Sequence, residues 1–232
     1  MSPNDTSGPL GTEHEVLAAV LQVRDRSLQV LLWRRAQQPA AGRWALPGGR
    51  LRPDEDVDTS MRRQLAEKVD VAQLAHLEQL TVLSAPQRVP GRRVVATGFL
   101  GLVPADQDPA VPEDTRWHPA DALPQMAFDH GTITRHGRER LRAKLSYTNV
   151  GFALAPPEFT ISRLRELYSA ALGYQVSATN MQRVLTRRGL LTPTGDAARS
   201  GRSGGRPAAL FRFQERRLRV TDPFAVLRPP RR

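Results

Sequence analysis

Apolar positions in the first 150 residues recur with the period of strands in some segments and with the period of helices in others. We predict four strands, at residues 16–24, 27–35, 77–83 and 94–103. Residues 57–69 place Met61, Leu65 and Val69 on one face of a helix, and a second helix is expected from about residue 130 to residue 145. Strands and helices mixed in this order predict an α/β domain in which helices cover a sheet.

The C-terminal part of the chain has a different pattern, in which two short helices follow each other. Thr160 is a suitable cap for the first helix and Gly173 ends it, while Ser177 and Gly189 bound the second. The inward-facing positions are Ile161, Leu164, Leu167, Tyr168 and Ala171 in the first helix, and Met181, Val184 and Leu185 in the second. Two helices joined by a short turn predict a helix-turn-helix, whose second helix enters the DNA major groove.

The outward face of that second helix is polar and basic. Its predicted DNA-binding side chains are Asn180, Arg183, Arg187 and Arg188. A Gly- and Arg-rich loop at 192–207 follows, and residues 208–213 then alternate as a strand. In isolation such a loop is typical of a flexible linker. After two helices it predicts a wing, whose phosphate-neutralising side chains are Arg199, Arg202 and Arg206.

Between the two patterns, the segment YTNVGFALAPPE at 147–158 has paired prolines and no helical period. We therefore predict a disordered tail at 1–12, an α/β domain at 13–147, a linker at 148–158, and a winged helix with a basic tail at 159–232. The prolines make the linker the candidate hinge between the two domains.

Net charge is divided unevenly between these parts. Residues 1–150 contribute +1 to the formal charge of +11, from 19 Lys/Arg and 18 Asp/Glu. Residues 151–232 contribute +10, from 15 Arg and 5 Asp/Glu. This asymmetry indicates that the C-terminal part meets a polyanion, although a basic tail alone is equally typical of a solvated appendage.

Composition excludes several classes of function. The 232 residues include no cysteine, which rules out disulfides, thiol nucleophiles and cysteine-ligated zinc. The sequence also lacks the Gly-rich loops of P-loop and dinucleotide-binding proteins and the nucleophile elbow of esterases. The polar N-terminus is unlike a signal peptide and no apolar run is long enough to span a bilayer, so we expect a cytoplasmic protein without a membrane segment.

One stretch carries candidate chemistry. Gly49 is followed after five residues by Glu55 and after seven more by Arg63, and Glu67 lies one helical turn beyond Arg63. The run GRWALPGG at 42–49 leads directly into it. Taken alone, Arg63 and Glu67 are typical of an ion pair on a solvated helix face. Taken with their neighbours, they resemble the Nudix box and the loop before it, in which Gly, Glu, Arg-Glu and Glu-Glu recur at these spacings.

The resemblance is incomplete at the positions that carry the chemistry. Gln64 and Lys68 stand where the Nudix box has acids, and Asp70 stands where it has its second glycine. Nudix enzymes cleave diphosphates with divalent cations held by glutamates. At about 4 Å, an ammonium repels each unit of positive charge on such a cation by roughly 4 kcal/mol, which is about three powers of ten in occupancy. We therefore expect a vestigial box (Gly49, Glu55, Arg63, Gln64, Glu67 and Lys68), no bound metal and no catalytic residue.

With both halves considered, the chain resembles the Nudix-related transcriptional regulators. That resemblance implies a Nudix α/β/α sandwich followed by a winged helix-turn-helix, in a homodimeric repressor of NAD-metabolism or sugar-utilisation genes. It also implies double-stranded operator DNA as partner and a nucleotide such as ADP-ribose as effector, with no required cofactor. The side chains expected at the effector are Arg34, Arg35, Trp44, Arg63, Glu67, Lys68 and His130.

Two other functions remain open from the sequence alone. An active Nudix hydrolase of ADP-ribose or nucleoside diphosphate sugars would use Glu55 and Glu67, and its basic tail would bind nucleic acid. An adaptor would have neither activity. Product formation with Mg²⁺ or Mn²⁺ separates the hydrolase from the repressor, and sequence-selective DNA binding separates the repressor from both alternatives.

Overall fold

The computed structural model of the protein describes residues 11–69, 74–198 and 207–221. Its strands are β1 (Glu13–Arg24), β2 (Ser27–Arg34), β3 (Trp44–Ala45), β4 (Gly48–Arg50), β5 (His76–Leu83), β6 (Val94–Leu102), β7 (Thr115–Pro119), β8 (Leu191–Ala197) and β9 (Ala209–Phe213). Its α-helices are α1 (Val57–Val69), α2 (His130–Tyr147), α3 (Ile161–Leu172) and α4 (Ala178–Arg187). The four long strands and all four helices confirm the elements predicted from the sequence, within three residues at their ends.

Strands β1 to β7 form one mixed sheet. Its central order is β3-β2-β1-β6-β5, with β4 paired to β1 and β7 paired to β2. Strand β1 runs parallel to β6 and antiparallel to β2 and β4. Because side chains alternate along a strand, Val16 and Val20 pack with α1, whereas Leu17 and Leu21 join the core cluster that contains Leu141 of α2. The first domain is therefore the expected α/β/α sandwich.

Three short strands of this domain, β3, β4 and β7, were not predicted, and β4 lies at the start of the box. Gly48 starts β4 and pairs with Leu17 of β1. Gly48 has φ 152°, and a Cβ on it would overlap the carbonyl oxygen of Val16. Only glycine tolerates this close backbone approach.

The C-terminal domain has the helix-turn-helix and hairpin order of a winged helix. The Thr160 hydroxyl accepts a hydrogen bond from the Arg163 amide (3.1 Å), and Gly173 ends α3 in the left-handed conformation at φ 81°. Ser177 caps α4. Strands β8 and β9 pair as the wing, so 192–197, expected to be loop, are strand instead.

The segment between the domains is packed rather than extended. It contains a short 3-10 helix, Val150–Ala153, and residues 148–155 are all buried. The Leu154 carbonyl accepts a hydrogen bond from the Ala105 amide in the first domain. Phe152 and Leu154 belong to a core cluster that continues into the winged helix. This differs from the Pro-stiffened linker expected from the sequence, because burial of these apolar side chains fixes the segment between the domains.

Along the described ranges, no helix is both long enough and apolar enough to cross a membrane.

Candidate effector pocket and nucleic-acid interface

The surviving residues of the box are tied together by one arginine. Arg63 on α1 donates two hydrogen bonds to the carboxylate of Glu55, one of them at 2.8 Å, and a third at 3.1 Å to Glu67. The Glu55 side chain is only 9% exposed. Hydrogen bonding from Arg63 lowers the pKa of Glu55 to about 2. Arg63 therefore fastens the loop that carries Glu55 to α1.

The two substituted positions lie beside this network. Gln64 is buried and its Nε2 donates to the Arg50 carbonyl at 3.4 Å. Lys68 is on the exposed side of α1, and its Nζ donates to the Gly48 carbonyl at 2.7 Å. Loss of hydration, followed by repulsion from Arg63, lowers the pKa of the Lys68 ammonium.

These side chains do not fit a divalent cation. Both carboxylates that remain, Glu55 and Glu67, are already bonded to Arg63. Positions 64 and 68 supply an amide and an ammonium, and Mg²⁺ requires oxygen ligands, usually from carboxylates. Within 11–69, 74–198 and 207–221, no group of three or more His, Asp or Glu side chains is arranged to hold a metal ion.

A cavity of about 530 Å³ opens beside the box. Its walls include Arg35, Arg50, Lys68, Arg92 and Glu15, four cations and one acid. Arg50 and Arg92 are both paired with Glu13, outside the cavity wall. Arg35 and Lys68 form no ion pair with a described residue, so they are the cations available to an anionic ligand.

The Arg35 side chain is held in place from several sides. Its Nε donates to the Pro39 carbonyl at 3.2 Å. Its guanidinium lies 5.2 Å from the ring centre of Phe128 and 5.8 Å from that of Trp33, within the range of cation–π attraction. The group is thus positioned at the cavity before any ligand arrives.

His130, the first residue of α2, is 3% exposed and also lines the cavity. Burial lowers its pKa to about 3, so the imidazole is neutral at pH 7. Its Nδ1 accepts the Leu46 amide at 3.0 Å, which places the proton on Nε2. Nε2 has no hydrogen-bond partner among the described residues. The neutral imidazole in this tautomer therefore keeps one buried N–H donor without a partner among the described residues, in a residue that lines the cavity.

Of the seven side chains predicted at the effector, three line the cavity: Arg35, Lys68 and His130. The other four lie elsewhere. Arg34 donates to the Gly42 carbonyl (3.3 Å), Trp44 packs edge-on against His118 with ring centres 4.3 Å apart, Arg63 holds Glu55, and the Glu67 side chain is 51% exposed on α1.

Sequence reasoning missed a buried arginine behind the cavity. The Arg88 side chain is fully buried, binds Glu15 at 2.6 Å and grips Asp129 with two bonds of 2.9 and 2.7 Å. Arg88 thereby connects β1 to the residue just before His130. No spacing in the sequence relates these three residues, which lie on separate elements.

The second candidate surface is α4. Asn180, Arg183 and Arg187 are exposed on one side, and the Arg183 guanidinium donates to Asn180 Oδ1 at 2.8 Å. The buried side carries Met181 and Leu185. The structure therefore brings together three of the four predicted helix side chains on an open surface.

Arg188, the fourth predicted side chain of α4, makes a contact between the two domains. It caps the end of α4, and its guanidinium donates to the Ser146 carbonyl near the end of α2 at 2.6 Å. The predicted wing contacts Arg199, Arg202 and Arg206 lie outside the described residues.

Fold and sites together define a Nudix domain joined to a winged helix with an exposed basic helix. The NUDIX domain family model matches residues 13–137, and the NrtR DNA-binding winged helix domain model matches residues 151–213.

Individual relatives agree with both matches. The chain is 29% identical to the ADPR responsive transcriptional repressor NtrR of Acinetobacter baylyi over 217 residues, 90% of this chain and 84% of the relative. It is 32% identical to Shewanella oneidensis NrtR in a crystal structure with a 27mer DNA, with a TM-score of 0.75 over 86% of this chain and 93% of that one. The Nudix domain of the Shewanella protein with ADP ribose gives 31% identity and a TM-score of 0.51, over 60% of this chain and 94% of that one. The chain belongs to the NrtR family of Nudix-related transcriptional regulators.

Proposed function

We propose that this protein is an ADP-ribose-responsive transcriptional repressor, whose winged helix binds operator DNA and whose Nudix pocket binds the effector without cleaving it. The observation that carries the proposal is the pairing of an exposed basic helix with a pocket in which an ammonium replaces a metal-binding acid. The Shewanella relative binds DNA and ADP ribose in its crystal structures, which supports both assignments. NAD-metabolism genes are the expected targets.

The pocket suits a diphosphate ligand. Its volume of about 530 Å³ lies within the range of small-molecule sites, and Arg35 and Lys68 supply two cations without carboxylate partners among the described residues. A guanidinium binds phosphate oxygens through two parallel hydrogen bonds, and an ammonium binds them as a point charge. A phosphate beside Lys68 would also raise the pKa of its ammonium, because an anion stabilises the charged form, whereas loss of hydration lowers that pKa.

Binding therefore requires no metal in this proposal. In a Nudix enzyme the cation neutralises the diphosphate, whereas here Lys68 and Arg35 would do so directly. Without a cation to activate water, hydrolysis has no assigned nucleophile, and Glu55 and Glu67 are both bonded to Arg63.

Helix α2 connects the pocket to the DNA-binding domain. Its first residue, His130, lines the cavity. Near its other end, Arg142 Nε donates to the Ala171 carbonyl of α3 at 3.3 Å, and the Ser146 carbonyl accepts Arg188. An effector releases DNA only if it binds more tightly to an arrangement in which the winged helices no longer match the operator. We propose a homodimer, in which a shift of α2 alters the spacing of two winged helices.

The decisive experiment measures binding of the full chain to DNA from its own genomic neighbourhood, by fluorescence anisotropy, with and without ADP-ribose and with excess EDTA. We expect sequence-selective binding that ADP-ribose weakens even in EDTA. Lys68→Ala should blunt the response to ADP-ribose and leave ligand-free DNA binding intact. Arg62→Ala, an exposed arginine on the same helix, is the matched control and should behave as the unaltered protein.

The outcomes separate the parts of the proposal. Loss of the ADP-ribose effect in EDTA, or an unchanged response in Lys68→Ala, would refute the metal-free pocket and leave the repressor standing. Absence of selective DNA binding would refute the repressor. ADP-ribose turnover above about 1 s⁻¹ with Mg²⁺, an ordinary enzyme rate, would show instead that the domain is a hydrolase.

A further inference from the structure

A second basic cavity lies between the two domains, away from the effector pocket. It has a volume of about 520 Å³ and shares no lining residue with the pocket beside the box. The Nudix side contributes Arg26, Arg138 and Arg142, and the winged helix contributes Arg165 on α3. We call this cavity the junction groove.

Two of these arginines are anchored by backbone carbonyls. Arg138 donates to the Ala120 carbonyl at 2.8 Å, and Arg142 donates across the domain boundary to the Ala171 carbonyl at 3.3 Å. A Cβ on Gly173 would lie 2.6 Å from the Arg142 guanidinium, so the glycine that ends α3 also leaves room for this side chain. Each anchored guanidinium keeps further N–H donors that the carbonyls do not use.

The other two arginines come from opposite sides of the groove. Arg26 is exposed in the two-residue turn between β1 and β2, where Asp25 and Arg26 both have positive φ, the geometry of a tight hairpin turn. Arg165 is half-buried on α3. Neither side chain makes a hydrogen bond or an ion pair with a described residue.

Acidic side chains do not neutralise the groove. Its lining holds four arginines against Asp121 and Glu166, a balance of +2. Glu166 is paired with Arg163, which is not part of the lining, at 3.2 Å. Four guanidinium groups converging on one cavity without carboxylate partners have mutual repulsion, which a bound polyanion relieves.

We propose that the junction groove binds a small polyphosphate-bearing anion, such as a nucleoside triphosphate or inorganic polyphosphate. Domain interfaces are common sites for small ligands, and a volume of this size accommodates a nucleotide. Arginine forks suit phosphate oxygens, and prior anchoring of two side chains lowers the entropic cost of binding. Because Arg26 and Arg165 belong to different domains, an anion held by both stabilises the observed domain arrangement.

The test uses inorganic tripolyphosphate as probe and the full chain at a fixed physiological salt concentration. Isothermal titration calorimetry compares the unaltered protein with Arg26→Gln/Arg165→Gln, which removes one cation from each domain and no hydrogen bond between described residues. We expect the double variant to weaken tripolyphosphate binding at least about tenfold, as expected for the loss of two charge-assisted contacts. The rise in melting temperature caused by the probe should shrink in parallel.

The matched control is Arg116→Gln/Arg135→Gln, two exposed arginines outside the groove with the same change in net charge. It should bind the probe as the unaltered protein does. Equal weakening in both double variants would overturn the proposal, since net charge alone would then explain the binding. It is also overturned if the groove variant leaves probe binding unchanged but lowers the salt dependence of DNA affinity, because the arginines would then contact DNA phosphates. Neither outcome depends on ADP-ribose.

Discussion

Replacing His130 with asparagine should make the protein less sensitive to acid. The ordinary pKa of histidine is 6.5, and burial lowers that of His130 to about 3. Between pH 6.5 and pH 3 the imidazole binds a proton in the unfolded chain but stays neutral in the folded protein. The contribution of His130 to the free energy of unfolding is therefore complete above pH 6.5 and is lost as the pH falls towards 3. Each pH unit costs about 1.36 kcal/mol, so acidification from pH 6.5 to 5 should cost about 2 kcal/mol through this residue alone.

Urea denaturation of both proteins at several pH values between 5 and 7.5 measures this difference. Asparagine retains an oxygen that can accept the Leu46 amide in place of Nδ1. His118, whose pKa burial also lowers, is present in both proteins and cancels. Glu55 and Glu78, with pKa values of about 2, lose their contribution only below their ordinary value of 4.5.

The charged groups that act on His130 are Asp129, which favours its protonation, and Arg88 and Arg35, which oppose it. All three remain in the variant. If the unaltered protein and His130→Asn lose the same free energy of unfolding between pH 6.5 and 5, then His130 is not the buried neutral imidazole described above.

Three further predictions concern the box, the DNA surface and the fold. Gly48→Ala should lower the free energy of unfolding by more than about 2 kcal/mol, because the new Cβ meets a backbone carbonyl of β1. Gly11→Ala, which has open space around it, should leave the free energy of unfolding unchanged in the same urea experiment. Arg183→Ala should weaken operator binding by roughly 1 to 3 kcal/mol and unrelated DNA much less; equal losses on both would contradict base contact. The unaltered protein should hydrolyse ADP-ribose near background with Mg²⁺, and Gln64→Glu/Lys68→Glu should gain Mn²⁺ binding by calorimetry; no gain would mean that charge at these positions is not what excludes the metal.

Signals confined to a few neighbouring residues gave the most accurate predictions. The caps Thr160 and Ser177 and the glycines after α3 and α4 fix the helix ends through local hydrogen bonds and backbone conformation, so those bounds were predictable. Strand β4 was not, because Gly48 becomes strand only by pairing with Leu17 of β1, 31 positions earlier. The same holds for the segment 148–155, whose burial depends on distant partners such as Ala105.

The candidate site likewise contains residues that local sequence predicts and residues that only the fold brings together. The spacing of the box alone predicts Lys68 as a site residue, and Lys68 lines the pocket. Arg34 and Arg35 are neighbours at the end of β2, and successive side chains of a strand point to opposite faces, so only one of them, Arg35, reaches the pocket. Arg88 lies in a loop whose path no local rule determines, and its partners Glu15 and Asp129 are 73 and 41 positions away.

The residues of the Nudix box that this chain retains make contacts that stabilise the fold. Leu65 packs in the core under the sheet, and Gly49 leaves room for the Gln64 amide, which would lie 2.6 Å from a Cβ at that position. Arg63 joins the Glu55 loop to α1 through two hydrogen bonds to one carboxylate. None of these contacts involves a cation or a substrate. Changing Lys68 to an acid alters the chemistry of the pocket without removing the Leu65 packing or the Arg63–Glu55 hydrogen bonds, since the Lys68 ammonium bonds to the Gly48 carbonyl instead. A Nudix box therefore combines contacts that stabilise the fold with side chains that bind metal. This chain keeps the stabilising contacts, but at one metal-binding position it has Lys68, whose ammonium lines the pocket.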